Sequence, residues 1–459
     1  MNNDASFQEK QSLESLSDSR SAAIRILNRF ERSDSYINKL VDYELNTGKL
    51  NQLDKQLLTE LVNGVIRWKE RLDYILVGFY YGDYMKCLNI VKNAMRVALY
   101  QILFLDKIPD AIAINESVEI VKRIQGEKTA GIVNGVLRNI SRNIENIRFP
   151  DKDADPIYFL TVYHSHPRWM VRRWVDRFGI DEAEMLLNAN NRKPNVTIRV
   201  NTLKANVYDI EKFLSEKNIV FEKSKYLSQS LILKTPRLNV TALDIFVDGK
   251  ITIQDEAASL ATLLARPFQG ADIIDLCAAP GGKSFFLAEL AKDKGRLIAI
   301  DKYKNKLPSI EEGAARLGLK SIVAALGDAI TFQSNFQPDI VFMDVPCSGT
   351  GTIAKKPDIK WKRERDDVYN IAKVQKDILA SGAKIVKPGG VLIYSTCSME
   401  PEENFLNIDW FLENFPNFKL DPAEQYIPAA ICKDGYLQTF PHIQNFDGAF
   451  AARLIKISE

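Results

Sequence analysis

Asp275 to Ser284 reads DLCAAPGGKS, and it follows directly on the short apolar run Ala271 to Ile274. A strand that ends in an acidic residue and runs through glycines into a helix places backbone amides and a helix N-terminus where a ligand can approach closely. Downstream, short apolar runs alternate with helical patterns. SFFLAELA is followed by RLIAID, a helix to Leu317, SIVAAL, DIVFMD, a helix from about Val368, and GGVLIYSTC. That alternation predicts a doubly wound, mainly parallel sheet from Ile251 onward. In such sheets ligands sit beyond the carboxyl ends of the strands, so the residues just after each strand are the ones to read for chemistry.

Upstream the pattern changes. Ala23, Ile26, Leu27 and Phe30 recur at helical spacing, as do Ala94, Ala98, Ile102 and Leu105, and no alternating strand pattern interrupts them. An all-α domain over residues 19–147 is expected, after a polar tail of residues 1–18. Pro150 and Pro156 mark a boundary in RFPDKDADP. Beyond it, residues 148–250 read as linker helices and a small α/β unit containing NVTIRVNTLKAN and SLILK. The final domain spans 251–459. The length of 459 residues fits about three domains.

Composition narrows the function. Apolar residues make up 46% and charged residues 26%, which supplies sizeable cores. The start, MNNDASFQEKQSLESLSDSR, is polar and no run of 18 apolar residues occurs, so secretion and membrane residence are not expected. Five widely spaced cysteines without a CxxC pair, and only three histidines, disfavour a disulfide framework or a metal site and fit a reducing cytoplasm. With 61 basic against 59 acidic residues, a nucleic-acid partner would be held by local patches. Candidates are Arg168, Arg172 and Arg173, interleaved with Trp169 and Trp174, then Arg199, and Lys355, Lys356, Lys360 and Arg363 in KKPDIKWKR. The alternative for the first group is an amphipathic helix with its tryptophans packed inward.

Two readings of the glycine loop compete. Cys277 to Ser284 nearly spells a phosphate-binding loop, with DIVFMD as its acidic partner, but Cys277 stands in the first glycine's place and Pro280 stiffens the loop. The other reading is a nucleoside-bearing cofactor. Asp301 ends the second strand 26 residues after Asp275, placed for ribose hydroxyls, and Asp328 ends the third, near an adenine amino group. That ordered set suits S-adenosylmethionine.

The fourth strand ends in DVPCSGTG, with Asp344 and Cys347, and the fifth in YSTCSMEPEEN, with Cys397. Two cysteines at neighbouring strand ends beside a cofactor mouth have a chemical rationale. C5 of cytosine is a poor nucleophile until a thiolate adds to C6; a carboxyl group at the base edge steadies the adduct, and a second thiol assists release. These residues alone leave open which cysteine attacks. Catalysis of nucleotide hydrolysis, or RNA binding without catalysis, are the readings from other classes.

DLCAAPGGKS, DVPCSGTG and YSTCSMEPEEN, together with QDEAASL (Gln254 to Leu260), RVNTLK (Arg199 to Lys204) and the terminal DGAFAARL, resemble the signature motifs of the RNA 5-methylcytosine methyltransferases, the Sun/Nop2/Nsun family. ELVNGVIRW and IVNGVLRNISR resemble the NusB-like RNA-binding domain. The resemblance implies a NusB-like helical domain, a small α/β linker domain and a Rossmann-like methyltransferase domain with a mainly parallel seven-stranded sheet. It implies cofactor contacts from Cys277, Ala278, Ala279, Pro280, Gly281, Gly282 and Lys283, and from Asp301, Asp328 and Asp344. It makes Cys397 the nucleophile and Cys347 the helper in release, leaving Asp344, from its place at the strand end, as the base-edge group, with small-subunit (16S) ribosomal RNA as substrate and transfer RNA as the alternative. Ala449 and Ala258 are departures from the family pattern.

Overall fold

The computed structural model describes residues 19–47, 50–236 and 238–457; the polar tail expected over 1–18 lies outside them. The chain divides into two compact units, residues 1–191 with 356–362, and residues 192–355 with 363–459. Among the described residues no helix is long and apolar enough to cross a membrane.

Among the described residues the regular elements of the first unit are helices: α1 (Ser19–Arg32), α2 (Ile37–Thr47), α3 (Gln52–Arg67), α4 (Lys69–Phe79), α5 (Asn89–Phe104), α6 (Asp110–Arg142), α7 (Pro156–Tyr163), α8 (Arg168–Phe178) and α9 (Ile180–Asn191). Asn51 starts α3 by accepting from the Asp54 amide at 3.0 Å, and Asp155 with Pro156 behind it starts α7 in the same way. The expected apolar stripes face the core. Leu27, Leu58, Leu61, Ala94, Ala98 and Leu137 are buried, while Ile102 and Leu105 pack at its margin. Gly64 is needed because the Tyr100 ring occupies the space a side chain would fill, 2.0 Å from the position of a Cβ.

Beyond residue 147, where the sequence places a domain boundary, the first compact unit continues to Asn191. The Glu70 amide donates to Ser165 Oγ at 2.9 Å, and the Arg71 guanidinium lies by the Phe149 and Tyr163 rings at 4.8 and 4.6 Å, so α7 and the turn after it pack on α4. Residues 356–362 are also built into this unit. Lys360 is fully buried, its ammonium donating to the carbonyls of Arg67 (2.7 Å) and Ser165 (2.8 Å) and to Asn191 Oδ1 (3.1 Å). Trp361 Nε1 donates to the Ile66 carbonyl at 2.7 Å. The expectation that Lys360 contacts RNA is therefore corrected: its charge is satisfied inside the fold, where burial pushes its pKa well below the ordinary ammonium range.

The second unit holds two sheets. The small one runs β2-β3-β1-β4, with β1 (Val196–Val200), β2 (Phe221–Lys223), β3 (Ser230–Leu233) and β4 (Ile251–Ile253), all antiparallel. Ile210 and Leu214 of α10 (Val207–Glu216) pack with Ile198, Leu231 and Ile251 in its core. The larger sheet has nine strands in the order β11-β12-β13-β9-β8-β5-β6-β7, with β10 beside β13. Its parallel half is β5 (Asp272–Asp275), β6 (Arg296–Asp301), β7 (Ile322–Leu326), β8 (Ile340–Asp344) and β9 (Val391–Thr396). Its antiparallel flank is β10 (Phe418–Leu420), β11 (Cys432–Lys433), β12 (Tyr436–Thr439) and β13 (Ala449–Lys456). The expected seven strands are thus joined by the two short strands β10 and β11.

Helices α11 (Glu256–Leu263), α12 (Gly282–Leu290), α13 (Leu307–Leu317), α14 (Arg365–Ile385) and α15 (Phe405–Asn414) cover the sheet. Ile273 and Ile274 are both buried, in cores on opposite faces of β5, which is why the two stand side by side without polar alternation. From β5 the chain runs outward through β6 to β7 and then returns to β8 on the other side. The strand order therefore reverses between β5 and β8, the place where sheets of this kind bind ligands.

Candidate active site at the carboxyl edge of the sheet

Strand register sets the site. Asp275 is paired with Phe342 of β8, Asp301 with Leu326 of β7, and Asp344 with Ser395 of β9, so the carboxyl ends of all five parallel strands reach one edge. Asp275 is buried there, accepting from Ser284 Oγ at 2.6 Å and from the Cys277 amide at 3.3 Å, and burial pushes its pKa up to about 7.

The loop after β5 turns back on itself. The Ala278 amide donates to the Ile300 carbonyl at 2.8 Å, and the Gly281 amide to the Ala278 carbonyl at 2.7 Å. Gly281 has φ +110°, and a Cβ there would lie 2.3 Å from the Phe285 ring, so both conformation and space require glycine. Lys283, one residue into α12, donates to Asp344 Oδ2 at 2.5 Å, while Ser395 Oγ donates to Asp344 Oδ1 at 2.9 Å. Burial works against the Lys283 charge, but Asp344 outweighs it and holds the ammonium above its ordinary range. The lysine that a phosphate-binding loop would offer to a triphosphate is here engaged by a carboxylate.

Asp301 ends β6 and accepts from the Tyr303 amide at 2.9 Å. Asp328, beyond β7, accepts from the Ile330 amide at 3.1 Å and pairs with Lys302 at 2.8 Å; that hydrogen bond from Lys302 holds its carboxyl below the usual range. Acceptor-only groups at successive strand ends, beside a loop whose backbone lies open for want of side chains, fit the hydroxyls and amino group of a nucleoside better than a run of phosphates. Among the described residues no group of three or more His, Cys, Asp or Glu side chains is arranged to hold a metal ion.

Cys347 and Cys397 come together at the ends of β8 and β9 with their sulfurs 3.0 Å apart, and both residues are half-buried. The Val345 amide donates to the Ser395 carbonyl and the Gly351 amide to the Cys397 carbonyl, each at 3.0 Å, which ties the two loops edge to edge. The hydrogen bond to Cys397, and then burial, push the Cys347 thiol far above the ordinary range. Sequence reasoning missed what lies behind the pair. Glu403 is fully buried, accepting at Oε2 from the Ser348 amide (2.8 Å) and Gln375 Nε2 (3.0 Å) and at Oε1 from Ser398 Oγ (2.7 Å). Its run, SMEPEEN, holds Glu400, Glu402 and Glu403, of which Glu400 and Glu403 are buried, and nothing in the spacing says which one backs the thiols.

The basic candidates separate. Arg199 is fully buried, ion-paired with Glu289, bonded to Gln254 Oε1 at 2.6 Å and seated on the Phe286 ring at 4.1 Å, so it is corrected from an RNA contact to a core residue. Lys355 bridges Asp255 and Asp447. Arg363 donates to the carbonyls of Ser348 (3.1 Å) and Cys347 (3.3 Å). Arg168, Arg172 and Lys356 are exposed and Arg173 is half-buried; Arg168 lies 3.5 Å from Asp155. Trp174 is buried, as the inward-packing alternative has it.

Comparison with known proteins adds three matches along the chain. The family described as 16S rRNA methyltransferase RsmB/F matches residues 261–455, the NusB family residues 17–142, and the RsmF/B-like ferredoxin-like domain residues 166–241. The probable ribosomal RNA small subunit methyltransferase B of Bacillus subtilis (strain 168) is 37% identical over 446 residues, 95% of this chain and 98% of that one. The crystal structure of PH0851 superposes with a TM-score of 0.79 at 27% identity, covering 95% of this chain and 98% of that one. A methyltransferase homolog protein from Pyrococcus horikoshii superposes with a TM-score of 0.59 at 28% identity, covering 66% and 99%.

Proposed function

The chain belongs to the 16S rRNA methyltransferase RsmB/F family, and from that premise we propose that it methylates C5 of a cytosine in small-subunit ribosomal RNA, in the cytoplasm, through a covalent bond between Cys397 and C6. The family membership makes it an S-adenosylmethionine-dependent methyltransferase of small-subunit ribosomal RNA; the base, the ring carbon and the adduct are our reading. What carries that reading is the pair of sulfurs 3.0 Å apart at adjacent strand ends, beside the glycine loop and Asp344.

S-adenosylmethionine supplies a methyl group on a positively charged sulfur. Cys277 to Lys283 and Asp301, Asp328 and Asp344 are the residues that would hold it. Cys397 adds to C6 as a thiolate, which turns C5 into an enamine-like nucleophile. Asp344, kept in place by Lys283 and Ser395, presents its partly exposed carboxylate to the amino edge of the base and steadies the adduct. Cys347, in contact with the attacking sulfur, assists the last step: the C5 proton passes to water, its bonding pair re-forms the C5–C6 double bond, and Cys397 leaves C6 as a thiolate that again accepts a hydrogen bond from the Cys347 thiol. A paired base lies out of reach, so the target is unpaired or turned out of its stack, at about a few kcal/mol. Arg168, Arg172, Arg173, Lys356 and Arg363 remain the candidates for phosphate contacts.

Two variants test the assignment. Cys397→Ala should abolish methyl transfer and form no covalent species with RNA. Cys347→Ala should accumulate an enzyme–RNA adduct that survives a denaturing gel, because addition proceeds while release is impaired. The reverse pattern would make Cys347 the nucleophile. Bisulfite sequencing of RNA from cells lacking the protein then identifies the modified cytosine, or shows that none is lost.

A further inference from the structure

Two sulfurs 3.0 Å apart, one attacking and one assisting, raise a question that their positions alone leave open: which of them carries the proton. Two thiolates in contact repel, and two thiols leave no nucleophile, so the working pair holds one proton, and the surrounding charges decide on which sulfur it rests.

Those charges are unevenly placed. Behind Cys347 lies the Glu403 carboxylate, fully buried, with hydrogen bonds from the Ser348 amide, Gln375 Nε2 and Ser398 Oγ. All three partners donate, as a carboxylate requires. Gln375 Nε2 also donates to the Pro346 carbonyl at 2.9 Å, so the Gln375–Glu403 pair grips the chain on both sides of Cys347. The Tyr394 hydroxyl donates to the Glu403 carbonyl at 2.5 Å and closes the arrangement from β9. Asp344 adds a second carboxylate near Cys347 from the end of β8. From the remaining side Arg363 donates to the carbonyls of Cys347 and Ser348. The Lys283 ammonium, paired with Asp344, interacts attractively with Cys397.

We propose that Glu403 is a positioning residue that decides which thiol is the nucleophile: from behind Cys347 its buried carboxylate keeps the single proton of the sulfur pair on Cys347, which donates it to Cys397 in a hydrogen bond and leaves Cys397 as the thiolate. The inference deepens the two-thiol reading above. It gives the buried glutamate a chemical task, since a carboxylate enclosed in protein is costly unless its hydrogen bonds and charge are used.

The test uses the full-length protein without RNA or cofactor, treated with iodoacetamide between pH 6 and 9, with the modified cysteines quantified by mass spectrometry. In the unaltered protein Cys397 should alkylate at least about tenfold faster than Cys347, the ratio that one pKa unit produces. Glu403→Gln, which keeps size and removes charge, should bring that ratio toward one, and Glu403→Asp should restore part of it. A purely structural role would raise both rates together in Glu403→Gln and leave the ratio alone, which overturns the proposal; so does an unaltered protein in which Cys347 reacts first or equally fast. Should Glu403→Gln fail to fold, Cys397→Ser decides: Cys347 alone should resist alkylation at pH 8, and reactivity like that of an ordinary thiol overturns the proposal. If the cytosine reading were wrong, the methylation assays would show it while the alkylation ratio stayed intact.

Discussion

Asp275 and Arg199 carry the same kind of burden, a titratable group taken out of water, and they resolve it differently. The Asp275 carboxyl has a pKa raised to about 7 by burial, against an ordinary 3.8, so the folded protein holds a proton there that the unfolded chain releases. Between those two values the native state binds more protons, and this group's contribution to stability, full below about 4, is lost as pH rises through 7. Asp275→Asn should remove that decline: its denaturant midpoint should fall less than that of the unaltered protein between pH 4 and 7.5, and parallel curves would show the carboxyl to be ionised throughout. Arg199 keeps its charge by pairing with Glu289, which is equally buried. Arg199→Ala strands that carboxylate and should cost about 3–5 kcal/mol in urea unfolding. An Arg199 that contacts RNA would instead leave stability unchanged and weaken binding. Cys347, Cys397 and the strand-end aspartates were legible in the sequence because each sits in a short local motif. Arg199 and Lys360 were not, because a basic residue reads as wet until its partners are known, and theirs lie 55 to 293 residues away.

Elements were legible in proportion to their length and regularity. The five parallel strands and the helices between them appear as alternating runs because both faces of β5, β6, β8 and β9 are buried, β7 at the edge is apolar though half-exposed, and the crossovers are amphipathic. β10 and β11, at three and two residues, carry no period to read, and their existence depends on β13 and β12 being in place to pair with them. Helices α7 to α9 fall in the stretch read as linker helices, whereas the contacts that seat α7 on α4 join residues about ninety apart and leave no local pattern to read. One glycine joins the elements around the thiols. Gly351 donates to the Cys397 carbonyl at 3.0 Å and accepts from the Gly448 amide at 2.9 Å, and a Cβ on it would lie 2.0 Å from the Gly448 carbonyl oxygen. That oxygen belongs to backbone and has no side chain to swing aside. Gly351→Ala should therefore push the loop of Cys347 away from β13, costing about 1–3 kcal/mol of stability. Methyl transfer should fall by more than that loss explains, since the sulfur-to-sulfur contact depends on the same loop. Full activity with lowered stability would separate the loop from the chemistry.

At the scale of the whole chain, two units with separate cores mean that a single melting temperature does not report one equilibrium, so ligand binding is better followed segment by segment. A ligand stabilises the state that binds it, by about 2.7 kcal/mol when present at a hundred times its dissociation constant. The loop after β5 and the ends of β6 and β7 carry the open backbone and the acceptors suited to a nucleoside, and the loop's lysine is held by Asp344 and is not offered to phosphate. S-adenosylhomocysteine should accordingly slow amide hydrogen exchange over residues 275–284, 300–303 and 326–330, where the strand-end carboxylates and the glycine loop meet. ATP with magnesium should leave those amides exchanging as before, because a triphosphate placed there would meet Asp301 and Asp344 without a free cation from Lys283. The two ligands share adenosine, so adenosine itself should give weak protection over the last two segments and little over the first. The first segment therefore discriminates. Slowing by S-adenosylhomocysteine alone assigns the glycine loop to the amino-acid end of a sulfonium cofactor, whereas slowing by ATP would return it to phosphate binding and remove the methyl donor from beside the two thiols.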